Sequence, residues 1–141
     1  MRCASAYLFG GRIVLAAERQ TTAGVWISDG WAEAYEADDQ VALGEALLGA
    51  LARSAIETPH PTDWKAIKFP VPTVAGARSL KAFMQSAQHA SVEQQDGRVV
   101  LRPSRNLGSK GFEPTGDALT VDADKSDQIG KALLRALTAE G

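Results

Sequence analysis

The chain has very little of the side chains on which most metal proteins and many enzymes depend. It contains one cysteine, Cys3, and two histidines, His60 and His89. One cysteine excludes an internal disulfide, and a lone cysteine with two widely separated histidines does not provide the clustered ligands of an ordinary zinc site. We therefore expect no disulfide framework, no metal and no cofactor.

Long apolar runs are also missing. No stretch reaches the roughly 18 to 20 apolar residues that a membrane-spanning helix needs. Gly10-Gly11-Arg12 interrupts the apolar start of the chain before it reaches the length of a secretory signal. Hydrophobic residues make up 45% and charged residues 23% of the 141 residues, as in globular domains. The sequence therefore predicts a single cytoplasmic domain over residues 1–141, with no membrane partner.

The net charge of −2 hides an uneven distribution along the chain. Residues 1–62 hold eight acids against four bases, residues 63–112 three against eight, and residues 113–141 six against three. Aromatic residues that could stack on bases are sparse in the basic middle, so direct nucleic-acid binding is disfavoured against solvated, partly paired charge. The bases of this segment are Lys65, Lys68, Arg78, Lys81, Arg98, Arg102, Arg105 and Lys110.

Short runs in the first third alternate apolar and other residues, as half-buried strands do. The runs are Arg12–Glu18, Thr22–Ser28 and Trp31–Glu36. Asp29-Gly30, between the second and third runs, is a typical two-residue hairpin signal. The pattern predicts a three-stranded antiparallel meander.

A second hairpin is predicted from Ser91–Gln95 and Arg98–Arg102 around Asp96-Gly97, where glycine supplies the positive φ of a type I′ turn. In that register Val92 faces Leu101, and both share a face with Val99. A further strand is expected at Ala118–Asp122.

Helical periods of about 3.6 residues follow these strands. The first helix runs from Asp39 to about Ile56, capped by Asp38 or Asp39; a short one runs from about Ala77 to Gln88, and another from about Ser126 to Glu140. Residues 59–76 hold four of the six prolines. This stretch is predicted to be an ordered connection anchored by Trp64, Ile67 and Phe69.

The first and third of these helices have matching sequences. Residues 43–51 align without gaps on residues 129–137, with six of nine positions identical, including Gly44 with Gly130. Each glycine costs its helix about 1 kcal/mol relative to alanine, so we expect a close approach of other backbone at both. The order of elements before each helix favours a duplicated βββα unit. The predicted fold is α+β, an antiparallel sheet with helices packed on it, and the leucines expected in its core are Leu43, Leu47, Leu51, Leu133 and Leu137.

Candidate catalytic and ligand-binding groups all have simpler interpretations. His60 and His89 are interpreted as surface or capping residues, and Cys3 has no evident activating partner. The segment 108–111, Gly-Ser-Lys-Gly, could cradle a phosphate, but it lacks the full Walker pattern and a flexible loop is favoured. Residues 122–127 lack the glycine and terminal glutamate of a calcium loop, so helix capping is favoured. The sequence therefore predicts that the protein is not an enzyme.

Segments of the second half resemble the contact-dependent growth inhibition (CDI) immunity family in order and spacing. They are residues 77–83, 90–97, 102–108 with 111–114, and 129–137. In the first half the resemblance extends only to the acidic cap and the helix that contains Leu43-Gly44. The family resemblance implies a bacterial cytosolic protein that binds and neutralises the C-terminal toxin domain of a matching contact-delivered effector. Such toxin domains are often nucleases.

Two charged sets are the candidate partner-binding residues. The acidic set, Glu33, Glu36, Asp38 and Asp39, holds four carboxylates in seven residues. A nuclease toxin needs a positive surface to hold phosphates, so this set is the first candidate face. The basic set is the second candidate, and comprises Arg102, Arg105 and Lys110. The alternative function is a small nucleic-acid-associated binding module that uses the basic central segment.

Overall fold

The computed structural model describes residues 1–36, 38–54, 57–64, 69–115 and 117–138. They form the α+β fold expected from the sequence, a seven-stranded antiparallel sheet with helices on it. The strands are β1 (Arg2–Phe9), β2 (Arg12–Gln20), β3 (Trp26–Tyr35), β4 (Gln88–Gln95), β5 (Arg98–Asn106), β6 (Phe112–Pro114) and β7 (Leu119–Asp122). The helices are α1 (Gln40–Arg53), α2 (Val71–Val74), α3 (Leu80–Ser86) and α4 (Ser126–Thr138), with a 3₁₀ turn at Gly108–Lys110.

The sheet has the strand order β3-β2-β1-β4-β5-β6. Its centre is the antiparallel pair β1 and β4, which runs from Arg2 opposite Gln94 to Leu8 opposite Gln88. The strands β6 and β7 both pair with β5, β7 along its first half and β6 along its second. None of the described helices is long and apolar enough to cross a membrane.

The helices α1 and α4 cover one face of the sheet and supply most of its aliphatic core. All five leucines predicted to be buried are at most 1% exposed. The sheet below contributes small side chains at its centre, Ala4, Ala6 and Ala90, and these leave room for the helices. The period-3.6 pattern therefore identified both helices and their buried faces correctly.

The two matching glycines lie where α1 and α4 cross. A Cβ on Gly44 would sit 1.9 Å from the carbonyl oxygen of Ser126, and a Cβ on Gly130 would sit 1.9 Å from that of Gln40. Each glycine thus meets the first residue of the other helix, which confirms the predicted close approach. The corresponding placement of β1-β2-β3-α1 and β4-β5-β7-α4 agrees with a duplicated unit, which stays a prediction.

The opposite face of the sheet carries a smaller, aromatic layer. Phe83 of α3 is fully buried and lies 5.5 Å from Tyr7 and 5.4 Å from Phe9, measured between ring centroids. Val71 of α2 and Ala75 complete the cover over Val14 and Ala16. This layer crosses only part of the sheet, on the side where β1 ends and β4 begins.

Two predictions for the first third are wrong. The strand β1 was not recognised, because its small side chains lack the β-branched pattern typical of strands. Asp29-Gly30 is not a hairpin but a bulge inside β3: Ala16 lies opposite Ala32 and Glu18 opposite Ser28, so residues 29–31 face Ala17 alone. Gly30 has φ 87°. The Asp29-Gly30 pair therefore indicated a residue with positive φ, a conformation that occurs in β-bulges as well as in turns.

The remaining elements follow the prediction closely. The hairpin around Asp96-Gly97 has positive φ at both residues, and Val92 faces Leu101 as expected. The strand β7 confirms the predicted strand at 118–122, whereas α2 and β6 were missed. Asp39, rather than Asp38, caps α1, and α3 is shorter than predicted because β4 begins at Gln88. The predicted ends at Ile56 and Glu140, and the anchor Ile67, lie outside the described residues.

Candidate functional site: two charged surfaces

The acidic set lies at the end of β3 and the start of α1. The exposed Glu33 accepts a hydrogen bond of 2.9 Å at Oε2 from the hydroxyl of Tyr35. Asp39 accepts the Ala42 amide at 3.0 Å through Oδ1, which caps α1. Glu36 and Asp38 are exposed, and no described residue forms a hydrogen bond or ion pair with their side chains. Glu33, Glu36 and Asp38 therefore present their charge to solvent, whereas Asp39 is partly committed to the helix.

Tyr35 holds Glu33 in place at neutral pH. Burial, together with the hydrogen bond to Glu33 and the charge of that carboxylate, raises the pKa of Tyr35 to about 12. The phenol therefore keeps its proton and remains a donor to Glu33. This contact was not foreseen from the sequence, although two residues that are two apart on one strand share a face.

The helix crossing extends the acidic surface in a way that the sequence did not show. Because Gly130 meets Gln40 and Gly44 meets Ser126, the starts of α1 and α4 lie near each other. Asp127, in the first turn of α4, is exposed in the same region. Lys131 follows one turn later, so this extension is mixed in charge. The most uniformly acidic part of the surface is the end of β3.

The basic set is not gathered on one surface. Arg102 and Arg105 are exposed on β5, and because they are three residues apart their side chains point to opposite faces of the sheet. Arg105 lies opposite Glu113 of β6, and Lys110 is exposed in the 3₁₀ turn. Lys65 and Lys68 lie outside the described residues. The described bases therefore do not form the continuous stripe that would follow a nucleic-acid backbone.

The acidic set at the end of β3 and Arg102 on β5 lie far apart and on different sides of the sheet. Four strand spacings separate β3 from β5, which corresponds to about 19 Å at about 4.8 Å a strand. Glu33 lies opposite Leu15 and so faces the side of α1 and α4, whereas Arg102 lies opposite Ser91 and faces the side of α3. The seven predicted partner-binding residues therefore do not form one common surface.

A buried carboxylate beside the acidic surface was missed from the sequence. The Asp29 side chain is 1% exposed; its Oδ2 accepts a hydrogen bond of 3.0 Å from Arg53 Nε of α1 and lies 3.6 Å from Arg19 Nε. Its Oδ1 accepts the Trp31 amide at 2.8 Å, and the Arg53 guanidinium lies 5.3 Å from the centroid of the Trp31 ring. Asp29 thus joins the bulge of β3 to the end of α1. The Asp-Gly pair was the only sequence signal, and it was interpreted as a turn.

The two histidines have different environments. His60 bonds Thr21 Oγ1 at 2.9 Å through Nδ1, as a surface residue can. His89 was predicted to be a surface or capping residue, which is wrong: it lies in β4, stacked on Phe112 at 4.8 Å and bonded to Ser104 Oγ at 2.9 Å. Burial lowers the pKa of His89 to about 4. It is therefore a neutral ring and a weak base near pH 7.

The glycine-rich segment 108–111 is closed on itself. The Leu107 amide donates to the Gly111 carbonyl at 2.8 Å, and the Gly111 amide donates to the Gly108 carbonyl at 3.0 Å. The predicted flexible loop is therefore a compact turn whose amides are partly used internally. Within the described ranges, no three of His, Cys, Asp and Glu lie close enough to hold a metal ion. Cys3 is buried, and burial raises the pKa of its thiol to about 12, so it stays protonated.

Solved structures with the same fold come from other bacteria. A protein of unknown function from Neisseria meningitidis, NMB0488, superimposes with a TM-score of 0.79 at 17% identity, over 99% of this chain and 95% of its own. A CdiA-CT/CdiI toxin and immunity complex from Yersinia pseudotuberculosis contains a chain with a TM-score of 0.74 at 16% identity, over 99% and 97%. At these identities the likeness shows the fold alone. No curated protein matches the sequence.

The match of the sequence to a family model identifies the family of this chain. The family model of the CDI immunity protein, CdiI, matches residues 2–139. The chain belongs to the CDI immunity protein family. The resemblance seen in the second half of the sequence is thereby confirmed and extended to the first half.

Proposed function

We propose that this protein binds and neutralises the C-terminal toxin domain of a cognate CDI effector in the cytoplasm, and that this toxin is a nuclease. The observation that carries the proposal is the family match over residues 2–139. The fold is also shared with a chain of the toxin and immunity complex from Yersinia pseudotuberculosis. Specific binding of one partner needs a stable fold and a complementary surface, and the exposed charged surface of this fold is the candidate for the second.

The acidic end of β3 is the proposed contact for the toxin. Glu33, Glu36 and Asp38 present carboxylates to solvent, and Tyr35 orients the first of them. A nuclease needs positive charge where it holds phosphate groups, so an acidic surface on the immunity protein would attract and cover that site. Charge of this kind acts mainly on the rate of encounter and on the choice of partner.

No catalytic step is needed for this function. Both histidines lie 2.9 Å from a hydroxyl, His60 from Thr21 and His89 from Ser104, and the lowered pKa of His89 makes it a poor base for activating the Ser104 hydroxyl. We therefore propose that protection comes from occupancy of the toxin surface and not from chemical modification of the toxin.

The test is binding of the purified C-terminal toxin domain of the cognate CDI effector. Glu33→Lys/Glu36→Lys should lower the association rate by about tenfold at low salt, and the difference should narrow as salt screens the charges. Glu57→Lys/Asp117→Lys is the matched control, because it changes the net charge equally at exposed positions outside the acidic end of β3. The toxin alone should cleave RNA or DNA, and addition of the wild-type protein should stop cleavage.

Three results would contradict parts of the proposal. No binding by the wild-type protein would remove the toxin-binding function. Equal association rates for both double variants at low salt would show that the acidic end of β3 is not a toxin contact. A toxin that cleaves neither RNA nor DNA would remove the nuclease assignment while leaving the immunity function in place.

A further inference from the structure

An apolar cavity lies between α3 and the compact turn at 108–110, on the face of the sheet opposite α1 and α4. Its volume is about 460 Å³ and its walls are Leu80, Lys81, Met84, Gln85 and Ser109. Leu80 is 57% exposed, and Leu107, next to the turn, is 40% exposed. Met84 packs in part against the aromatic core, whereas Leu80 and Leu107 lie outside the core cluster, where Phe83 already fixes α3 on the sheet.

Hydrogen bonds of Asn106 connect the two elements that form the cavity walls. Asn106 Nδ2 donates to the Ala87 carbonyl at the end of α3 (2.7 Å), and Asn106 Oδ1 accepts the Gly108 amide at the start of the turn (2.6 Å). One side chain thus joins both walls. A preformed cavity of this kind lowers the entropy that a partner loses on binding.

The rim of the cavity is basic. Lys81 lines it, Lys110 follows the lining residue Ser109, and Arg78 is exposed two residues before α3. Among the lining residues that the structure describes, none is a carboxylate. An occupant with an apolar tip and neighbouring negative charge would match both the floor and the rim, whereas a bare phosphate would leave the apolar floor uncovered.

We propose that this cavity receives an apolar side chain of the cognate toxin domain, presented by an acidic segment of that domain. The proposal rests on the toxin-binding function proposed above and adds a second contact, opposite in charge to the acidic end of β3. An apolar anchor in a preformed pocket is the arrangement typical of residues that dominate binding energy, and charged side chains around it exclude water.

The test uses the full-length protein and the cognate toxin domain. Leu80→Asp should weaken binding by at least about tenfold, mainly by faster dissociation, because it removes apolar surface and places like charge beside the acidic segment. Lys81→Glu/Lys110→Glu should slow association at low salt and less so at high salt. Val25→Asp is the matched control, since Val25 is 43% exposed in the turn before β3, and it should leave affinity within about twofold.

A second measurement tests the cavity independently of whether Leu80→Asp folds. Gln85→Cys, at the exposed wall of the cavity, can be labelled with an environment-sensitive fluorophore while the buried Cys3 stays unreactive. Toxin binding should shift its emission to shorter wavelength, and the same label at Val25→Cys should not respond. If the wild-type protein binds toxin but Leu80→Asp binds equally well, or the Gln85 label does not respond, the cavity is not a toxin contact and the proposed function stands. Absence of binding by the wild-type protein would overturn both.

Discussion

The two faces of the sheet are covered in different ways. One face carries two long helices of matching sequence, α1 and α4, whose five predicted core leucines are almost fully buried and whose backbones approach closely at Gly44 and Gly130. The other face carries a one-turn helix, a two-turn helix and a cluster of aromatic rings around Phe83. The regular layer is built from local periodic sequence, whereas the aromatic layer is assembled from residues far apart in the chain. Equivalent substitutions in α1 and α4 should therefore have similar effects on stability, whereas a substitution in the aromatic layer has no equivalent position to compare with.

The largest expected effect is loss of a core leucine from the regular layer. Leu47→Ala and Leu133→Ala occupy equivalent positions in the two helices and should each lower the free energy of unfolding by about 2 to 5 kcal/mol. Urea denaturation followed by circular dichroism measures both. Similar losses would support the equivalence of the halves, and an unmoved midpoint in either variant would show that its helix is packed differently.

A smaller effect is expected at the helix crossing. Gly44→Ala and Gly130→Ala place a Cβ against backbone carbonyls, which cannot move aside as a flexible side chain can, and should each destabilise by about 1 to 3 kcal/mol. Gly49→Ala is the control in the same helix, because nothing lies within 4 Å of its Cβ. It should stabilise by about 0.5 to 1 kcal/mol. Equal thermal shifts for Gly44→Ala and Gly49→Ala would refute the close crossing.

In the aromatic layer the expected effect depends on pH. The folded protein holds His89 neutral, with its pKa lowered from 6.5 to about 4, while the unfolded chain binds a proton near pH 6.5. Stability from this residue is therefore complete above about pH 6.5 and is lost as the pH falls towards 4. The loss should be about 1 to 2 kcal/mol, since the ring keeps part of its exposure to solvent. His89→Gln should flatten this part of the pH profile of unfolding; an unchanged slope would be inconsistent with a buried neutral ring.

The smallest effect is expected on partner binding at neutral pH. Neither histidine lies on the acidic end of β3 or in the cavity beside α3, so His60→Gln/His89→Gln should change toxin affinity by less than about twofold. Calorimetric titration of this variant, with its fold verified by circular dichroism, checks the expectation. A large loss of affinity in a folded variant would place one of the histidines in the interface.

The sequence predicted the regular layer well because its signals are local. Asp39 as cap, the burial of Leu47 and Leu133, and the type I′ turn at Asp96-Gly97 each follow from a few neighbouring residues. The two candidate charged sets were also found, since charge density can be counted along the chain. The single-domain assignment stays a prediction.

The features that the sequence did not predict depend on contacts between residues far apart in the chain. The strand β1 was missed because its alanines are required by the helices above them and not by strand propensity. Asp29 was interpreted as a turn residue because its partners, Arg19 and Arg53, are 10 and 24 residues away. His89 was placed at the surface because the rings that bury it come from β1 and β6. The cavity beside α3 depends on Asn106, whose two bonds join segments that share no local pattern.

The central strand pair has a consequence for how the chain folds during synthesis. Arg2 pairs with Gln94, and the start of α1 packs on α4, so β1 and α1 gain these partners only after about residue 130 has been made. Contacts this distant in sequence slow folding, because a long loop must close before they stabilise anything. The complete native core therefore cannot form stepwise from the N-terminus during synthesis. Two fragments divided in the proline-rich connection should be unfolded separately and should regain the fold only when mixed.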